Sequence, residues 1–139
     1  MIFLDTNVLV PIVLEHERSP VADDVLAYSD RIFAPILWRY EVAQVIGRAA
    51  RNREVEVDVA IAAAQRLKGI VSTELPTLDA WVYLSTSVRL IISSYDAVWV
   101  YHASELGLQI ATFDEKLTRA VPDVAISPEA YFARDTPTS

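Results

Sequence analysis

The sequence predicts an α/β fold: a short, mostly parallel central sheet flanked by helices. Three observations predict it. Apolar runs of strand length alternate with longer segments of helical pattern along the chain, which is the signature of βα units. The chain has 139 residues, 53% of them hydrophobic, so one core can form and disorder is disfavoured. No internal repeat, low-complexity segment or linker divides it, which predicts one domain over residues 1–133 and a frayed tail at 134–139.

The elements follow in order. Ile2 to Leu4 reads as a short buried strand ending at Asp5, and Asn7 to Leu14 as a short helix. Ser19 suits the N-cap of a second helix, with Pro20 in its first turn and Asp23 and Asp24 near its positive end. Arg31 to Ala34 is a strand closed by Pro35. Ile36 to Ala50 and Asp58 to Gly69 are helices, the second stopped by Gly69. Val71 to Leu75 is a weaker strand. Leu78 to Ile91 and Tyr95 to Leu106 are helices, the latter ended by Gly107. Leu108 to Thr112 is a strand, Asp114 to Ala120 a short helix, and Val124 to Ile126 a final strand.

Composition narrows the function classes. There is no cysteine, which excludes disulfides and thiolate metal sites. The N-terminus has no basic segment before its apolar run, unlike a signal peptide. Val8 to Leu14 is too short to cross a bilayer, which takes about 20 residues. The expectation is a cytoplasmic protein with no membrane partner. Net charge is −7, which by itself disfavours a nucleic-acid partner. Arg39, Arg48, Arg51 and Arg53 nevertheless cluster along one helix and its exit. They form either a local basic patch or a solvated helix face.

Four acids stand where elements begin or end among apolar neighbours: Asp5, Glu41, Asp96 and Asp114. A carboxylate beside buried residues costs free energy unless it is paired or binds a metal. Each has an ordinary alternative. Ser93 and Asp96 have capping-box spacing, and Asp5 and Asp114 can each cap the helix that follows. Glu41 reads as mid-helix, where no cap is needed. In an open parallel sheet, ligands bind outside the carboxyl ends of the strands. That is where Asp5 and Asp114 fall, with Glu41 and Asp96 on helices packing against the sheet. Converging carboxylates suit Mg²⁺ or Mn²⁺. Two such ions roughly 3.5–4 Å apart can activate a water and stabilise the leaving oxygen of a phosphodiester. Thr6, Asn7 and Thr112 are candidates for orienting those ligands or binding a phosphate, with local turn capping as the alternative, and Arg48 is a further candidate, with a solvated helix face as its alternative. His16 and His102 lack metal-ligand spacing and read as surface or helix residues. Trp38, Trp81, Trp99, Tyr83 and Tyr101 are candidates for an exposed apolar surface, against the commoner core role.

The ordered set of motifs resembles the PIN-domain family, and within it the VapC-type toxin ribonucleases of toxin–antitoxin pairs. Leu4-Asp5-Thr6-Asn7-Val8-Leu9 resembles the first motif, and Pro35-Ile36-Leu37 through Glu41-Val42 the second. Tyr95-Asp96-Ala97 followed by Ala103-Ser104-Glu105-Leu106-Gly107 resembles the third, and Thr112-Phe113-Asp114 the fourth. Some members carry a further acid shortly after the fourth motif, where this chain reads Glu115-Lys116. The resemblance implies a three-layer fold and a metal-dependent endoribonuclease using Asp5, Glu41, Asp96 and Asp114 with Mg²⁺ or Mn²⁺. It also implies an RNA substrate, a cognate antitoxin and a homodimer. A PIN-fold nuclease of RNA processing without an antitoxin, or an inactive binding module, is the alternative. A phospho-acceptor receiver domain fits poorly: Asp5 has no acidic neighbour, and Asp58 lies in a helical pattern.

Overall fold

The computed structural model describes residues 1–133; the tail at 134–139 lies outside the described residues. The sheet is parallel throughout, in the order β3-β2-β1-β4-β5. Its strands are β1 (Ile2–Leu4), β2 (Ile32–Pro35), β3 (Thr73–Leu75), β4 (Ile110–Ala111) and β5 (Ala125–Ile126). Phe3 aligns with Phe33 on one side and Ile110 on the other, so β1 is central. Both faces of an interior parallel strand are covered, which is why β1 and β2 read as unbroken apolar runs. Every residue of these two strands is buried, whereas the edge strand β3 is half-buried.

The helices are α1 (Thr6–Val13), α2 (Ser19–Tyr28), α3 (Trp38–Arg51), α4 (Val57–Ile70), α5 (Ala80–Leu90), α6 (Ser94–Leu106), α7 (Glu115–Ala120) and α8 (Pro128–Ala133). Helix α6 packs on β2 and β4 and carries α5 on its outside, while α1 packs on α2, α3 and α4. One core cluster joins the strands to Val8, Leu9, Trp38, Val42, Leu67 and Trp99.

Some local expectations are corrected. Ser19 is the first helical residue of α2, not its N-cap. Its hydroxyl instead donates to the Pro11 carbonyl (2.7 Å) and accepts from His16 N (2.9 Å), tying the end of α1 to the start of α2. Gly69 does not stop α4, which runs on to Ile70 and is capped by Val71. Gly107 does end α6, with a left-handed φ of 63° that costs glycine nothing. Helix α8 was not expected, although its start has a Ser-Pro pair: Ser127 Oγ accepts from Ala130 N, and Pro128 opens the helix. Helix α3 starts at Trp38 because Ile36 and Leu37 form a turn after β2. Glu41 therefore lies in the first turn, not mid-helix.

The topology positions a site. The chain steps from β1 out to β2 and β3, then returns through α5 and α6 to β4 on the other side of β1. The strand order reverses between β1 and β4, and a crevice opens there beyond the carboxyl ends.

Candidate active site

Asp5 sits in that crevice. Its backbone N–H still bonds to Ala111 O (3.1 Å), so β4 fixes its position. Its carboxylate caps α1, accepting from Thr6 N at 2.7 Å through Oδ1. Oδ2 accepts from Thr112 Oγ1 at 2.7 Å. Burial pushes the Asp5 carboxyl up to about 7, and the Glu41 and Asp96 charges push the same way against the Thr112 and Thr6 bonds. A carboxyl group whose pKa lies this close to neutrality is one that burial holds toward its uncharged form.

The next two residues reach to either side. Thr6 Oγ1 donates to Glu41 Oε2 at 3.2 Å. Asn7 Nδ2 donates to Thr112 Oγ1 at 3.1 Å, and Asn7 Oδ1 accepts from Phe113 N at 3.0 Å. The fully buried Thr112 hydroxyl also accepts from Asp114 N at 3.0 Å. Asp5-Thr6-Asn7 thus connects β1 to α3 and to the turn after β4.

Glu41 is half-buried. Oε1 accepts from the indole Nε1 of Trp99 at 3.0 Å, and Oε2 from Thr6. Burial raises its carboxyl pKa above the usual value, the two hydrogen bonds oppose this, and the Asp96 charge adds to it. Asp96 is raised by burial as well, with a further push from Asp114. The expected capping spacing is real: Ser93 Oγ accepts from Asp96 N at 3.0 Å. The cap's acceptor is the serine oxygen, while the Asp96 carboxylate has its own side-chain hydrogen bond with Ser93, which opposes the rise. Asp114 is itself a cap. Its Oδ1 accepts from Lys116 N (2.9 Å) and Leu117 N (3.3 Å) at the start of α7.

The structure brings Asp5, Glu41, Asp96 and Asp114 to one cavity of about 380 Å³, with Thr6 and Asn7 in the same lining. Thr112 lies behind, holding Asp5. Arg48 is not there. It lines a neighbouring apolar groove with Val13, Leu14, Ala49 and Val59, because two turns of α3 carry it away from Glu41. Sequence reasoning missed three contributors. Trp99 has a readable signal, one turn after Asp96 on α6. His16 and Arg18 line the cavity from the α1–α2 connection, which had no pattern to mark them. His16 is exposed, as expected. His102 lies buried within α6 against the Tyr83 hydroxyl at 2.8 Å, and burial lowers its pKa.

The donor set fits a hard divalent cation: carboxylate oxygens from four separate elements, ordered by hydroxyl and amide groups. No Lys or Arg pairs with any of them among the described residues, where the side-chain ion pair is Arg39–Glu74. As placed, no three carboxyl or imidazole groups of the described residues are close enough to hold one ion. The acids stand apart around the cavity, as like charges do.

A family model described as PIN domain matches residues 2–121. Among solved structures, PAE2754 from Pyrobaculum aerophilum matches with a TM-score of 0.75 at 19% identity, covering 95% of this chain and 86% of that one. Identity at that level speaks for the fold alone. No curated protein sequence matches.

Proposed function

The chain belongs to the PIN-domain family, whose members are generally nucleases, and we propose that it is a metal-dependent endoribonuclease, the toxin of a toxin–antitoxin pair. One observation carries the proposal. Four carboxylates from distant parts of the sequence line one cavity, and no Lys or Arg of the described residues forms an ion pair with them. A structural acid cluster is stabilised by pairing; here burial, with the neighbouring carboxylates, raises the pKa of Asp5, Glu41 and Asp96.

Asp5, Glu41, Asp96 and Asp114 would hold Mg²⁺ or Mn²⁺. A divalent ion there would supply Lewis-acid charge and a bound water of lowered pKa for phosphodiester hydrolysis. The chain's own residues prepare the site. Thr112 fixes the Oδ2 side of Asp5, Thr6 and Trp99 fix both oxygens of Glu41, and Asn7 locks the turn carrying Asp114. The buried face of Trp99 and the strand ends keep bulk water from the inner side. Cleavage of single-stranded RNA by the pure protein tests the proposal. Turnover should require Mg²⁺ or Mn²⁺ and stop with chelator; full activity in excess chelator would overturn it.

Two surfaces support the proposed partners. Trp81, Leu84, Val88 and Ile91 form one apolar stripe along α5 and its cap, with Trp81 77% and Ile91 90% exposed. Of the other aromatic candidates for such a surface, Trp38, Trp99 and Tyr83 are core, and Tyr101 is half-buried against Tyr83. A patch of this kind suits self-association, and we assign the homodimer contact to it. The apolar groove beside the acidic cavity, lined by Val10, Val13, Leu14, Val45, Val55 and Val59, suits an amphipathic antitoxin helix. No helix among the described residues is long and apolar enough to cross a membrane. Light scattering of wild type and Trp81→Glu tests the first assignment: a dimer that the substitution splits supports it, and a wild-type monomer overturns it.

A further inference from the structure

Arg18 stands out on the wall of the acidic cavity. It and His16 are the basic side chains in a lining that holds four carboxylates. Its guanidinium nevertheless forms no ion pair among the described residues. It lies over the Phe113 ring instead, 4.6 Å from the centroid. Stacking uses the flat face of a guanidinium and leaves the N–H edge free to donate.

Both halves of the stack are anchored at the backbone. Phe113 is held through its backbone N–H, which donates to Asn7 Oδ1. Arg18 N donates to His16 Nδ1 at 3.1 Å, His16 N donates to Ser19 Oγ, and that hydroxyl anchors on Pro11 O. The connection between α1 and α2 thus holds Arg18 at the rim before any ligand arrives, which lowers the ordering cost of binding. Beyond the stack lies a second shallow cleft, lined by Glu17, Thr118, Glu115 and Glu129 as well as Arg18 and Phe113. A strand passing from the cavity into that cleft has acidic groups on both sides and one guanidinium between them.

We infer that Arg18 is a substrate-binding residue that grips a phosphate of the RNA at the rim of the acidic cavity. The inference rests on the nuclease reading. A polyanion approaching a chain of net charge −7 needs local positive charge where its backbone turns in. Of the arginines along α3 and its exit, Arg39 is bound by Glu74, Arg48 lines the neighbouring groove, and Arg51 and Arg53 lie at the far end of the helix from Glu41. An arginine fork also matches two phosphate oxygens at once, which a lysine ammonium does not.

The test uses Arg18→Gln and Arg18→Lys with single-stranded RNA and Mn²⁺. Steady-state cleavage is measured over a range of salt concentrations, and melting temperature with and without Mn²⁺. Arg18→Gln should raise KM about tenfold or more, as expected for a lost charged hydrogen bond, with kcat and the Mn²⁺-induced melting shift unchanged. Its log–log salt slope should fall by about 0.7, the value of one phosphate contact on a single strand. Arg18→Lys should keep the slope and recover part of the KM. Wild-type KM and slope in Arg18→Gln would overturn the inference, as would a fall in kcat alone or an altered Mn²⁺ shift. A wild type that neither cleaves RNA nor responds to Mn²⁺ would instead overturn the nuclease reading, and this inference with it.

Discussion

Glu41 and Glu74 are the same residue type, and each accepts a hydrogen bond from a buried tryptophan indole at 3.0 Å: Trp99 for Glu41, Trp38 for Glu74. Their titrations move in opposite directions. The Arg39 guanidinium binds Glu74 through two nitrogens at 2.7 and 2.6 Å and holds its carboxyl below the usual value. Glu41 forms no ion pair among the described residues, and burial and the Asp96 charge raise it. The difference separates a structural carboxylate from a functional one. The fold pairs Glu74 with its own cation, whereas the proposed function gives Glu41 and the acids around it a metal ion as their partner.

The strongest way to break that contrast is to remove each charge at nearly constant volume. Glu41→Gln should abolish RNA cleavage and keep the fold, because the amide still meets Thr6 and Trp99 but no longer offers an anionic oxygen pair. Glu74→Gln should cleave at the wild-type rate. Assaying both variants side by side with Mn²⁺ decides it: equal rates would place Glu41 in the structural class.

Acid–base behaviour sharpens the contrast next. Asp5 is raised from 3.8 to about 7 in the folded chain, so between those values the native state binds the extra proton. The metal-free protein should therefore lose stability as pH rises from about 4 to 7, by at most about 4 kcal/mol for a shift of this size. Glu41 and Asp96 act in the same sense, whereas Glu74, with its lowered value, acts in the opposite one. Mn²⁺ binds the ionised form, so its melting shift should grow from pH 5.5 to pH 8. Thermal melts across that range check both signs, and a metal-free stability that increases steadily with pH would contradict the first.

Smaller effects separate cap from ligand. Asp114→Ala removes the acceptor for Lys116 N and Leu117 N and should cost about 0.5–2 kcal/mol in the absence of metal. Asp114→Asn keeps that acceptor and should retain stability while losing cleavage and the Mn²⁺ shift. Asp96→Asn should melt at the wild-type temperature or higher without metal, since Ser93 supplies the cap and one repulsive charge is gone. If both Asn variants keep the metal shift and the nuclease rate, the two acids are caps only. The smallest effect expected is that of Glu74→Gln on stability, no more than an exposed ion pair contributes.

Much of the fold was legible because burial writes itself into sequence. Ile2 to Leu4 and Ile32 to Ala34 are apolar on successive residues because a parallel interior strand is covered on both faces. Gly107 marked the end of α6 because a left-handed residue there favours glycine. Boundaries were less legible. Gly69 is a tolerated residue inside α4, and Ser19 puts its hydroxyl on α1 instead of capping its own helix. At Ser19 a contact from elsewhere in the chain outweighed a local preference.

The sequence by itself determined the kind of fold, the four acids, and the helix starts at which Asp5 and Asp114 would lie, since periodicity and capping are properties of neighbouring residues. It left open whether those acids were caps or ligands. Tertiary structure answered that Asp5 and Asp114 cap their helices and also face one cavity with Glu41 and Asp96. It alone showed that Trp99 and Thr6 orient Glu41, that Arg48 points to a different groove, and that Arg18 stacks on Phe113 at the rim. The physical reason is distance along the chain. Such contacts join residues many positions apart, and they exist only once the strand order reverses between β1 and β4 and brings their elements together.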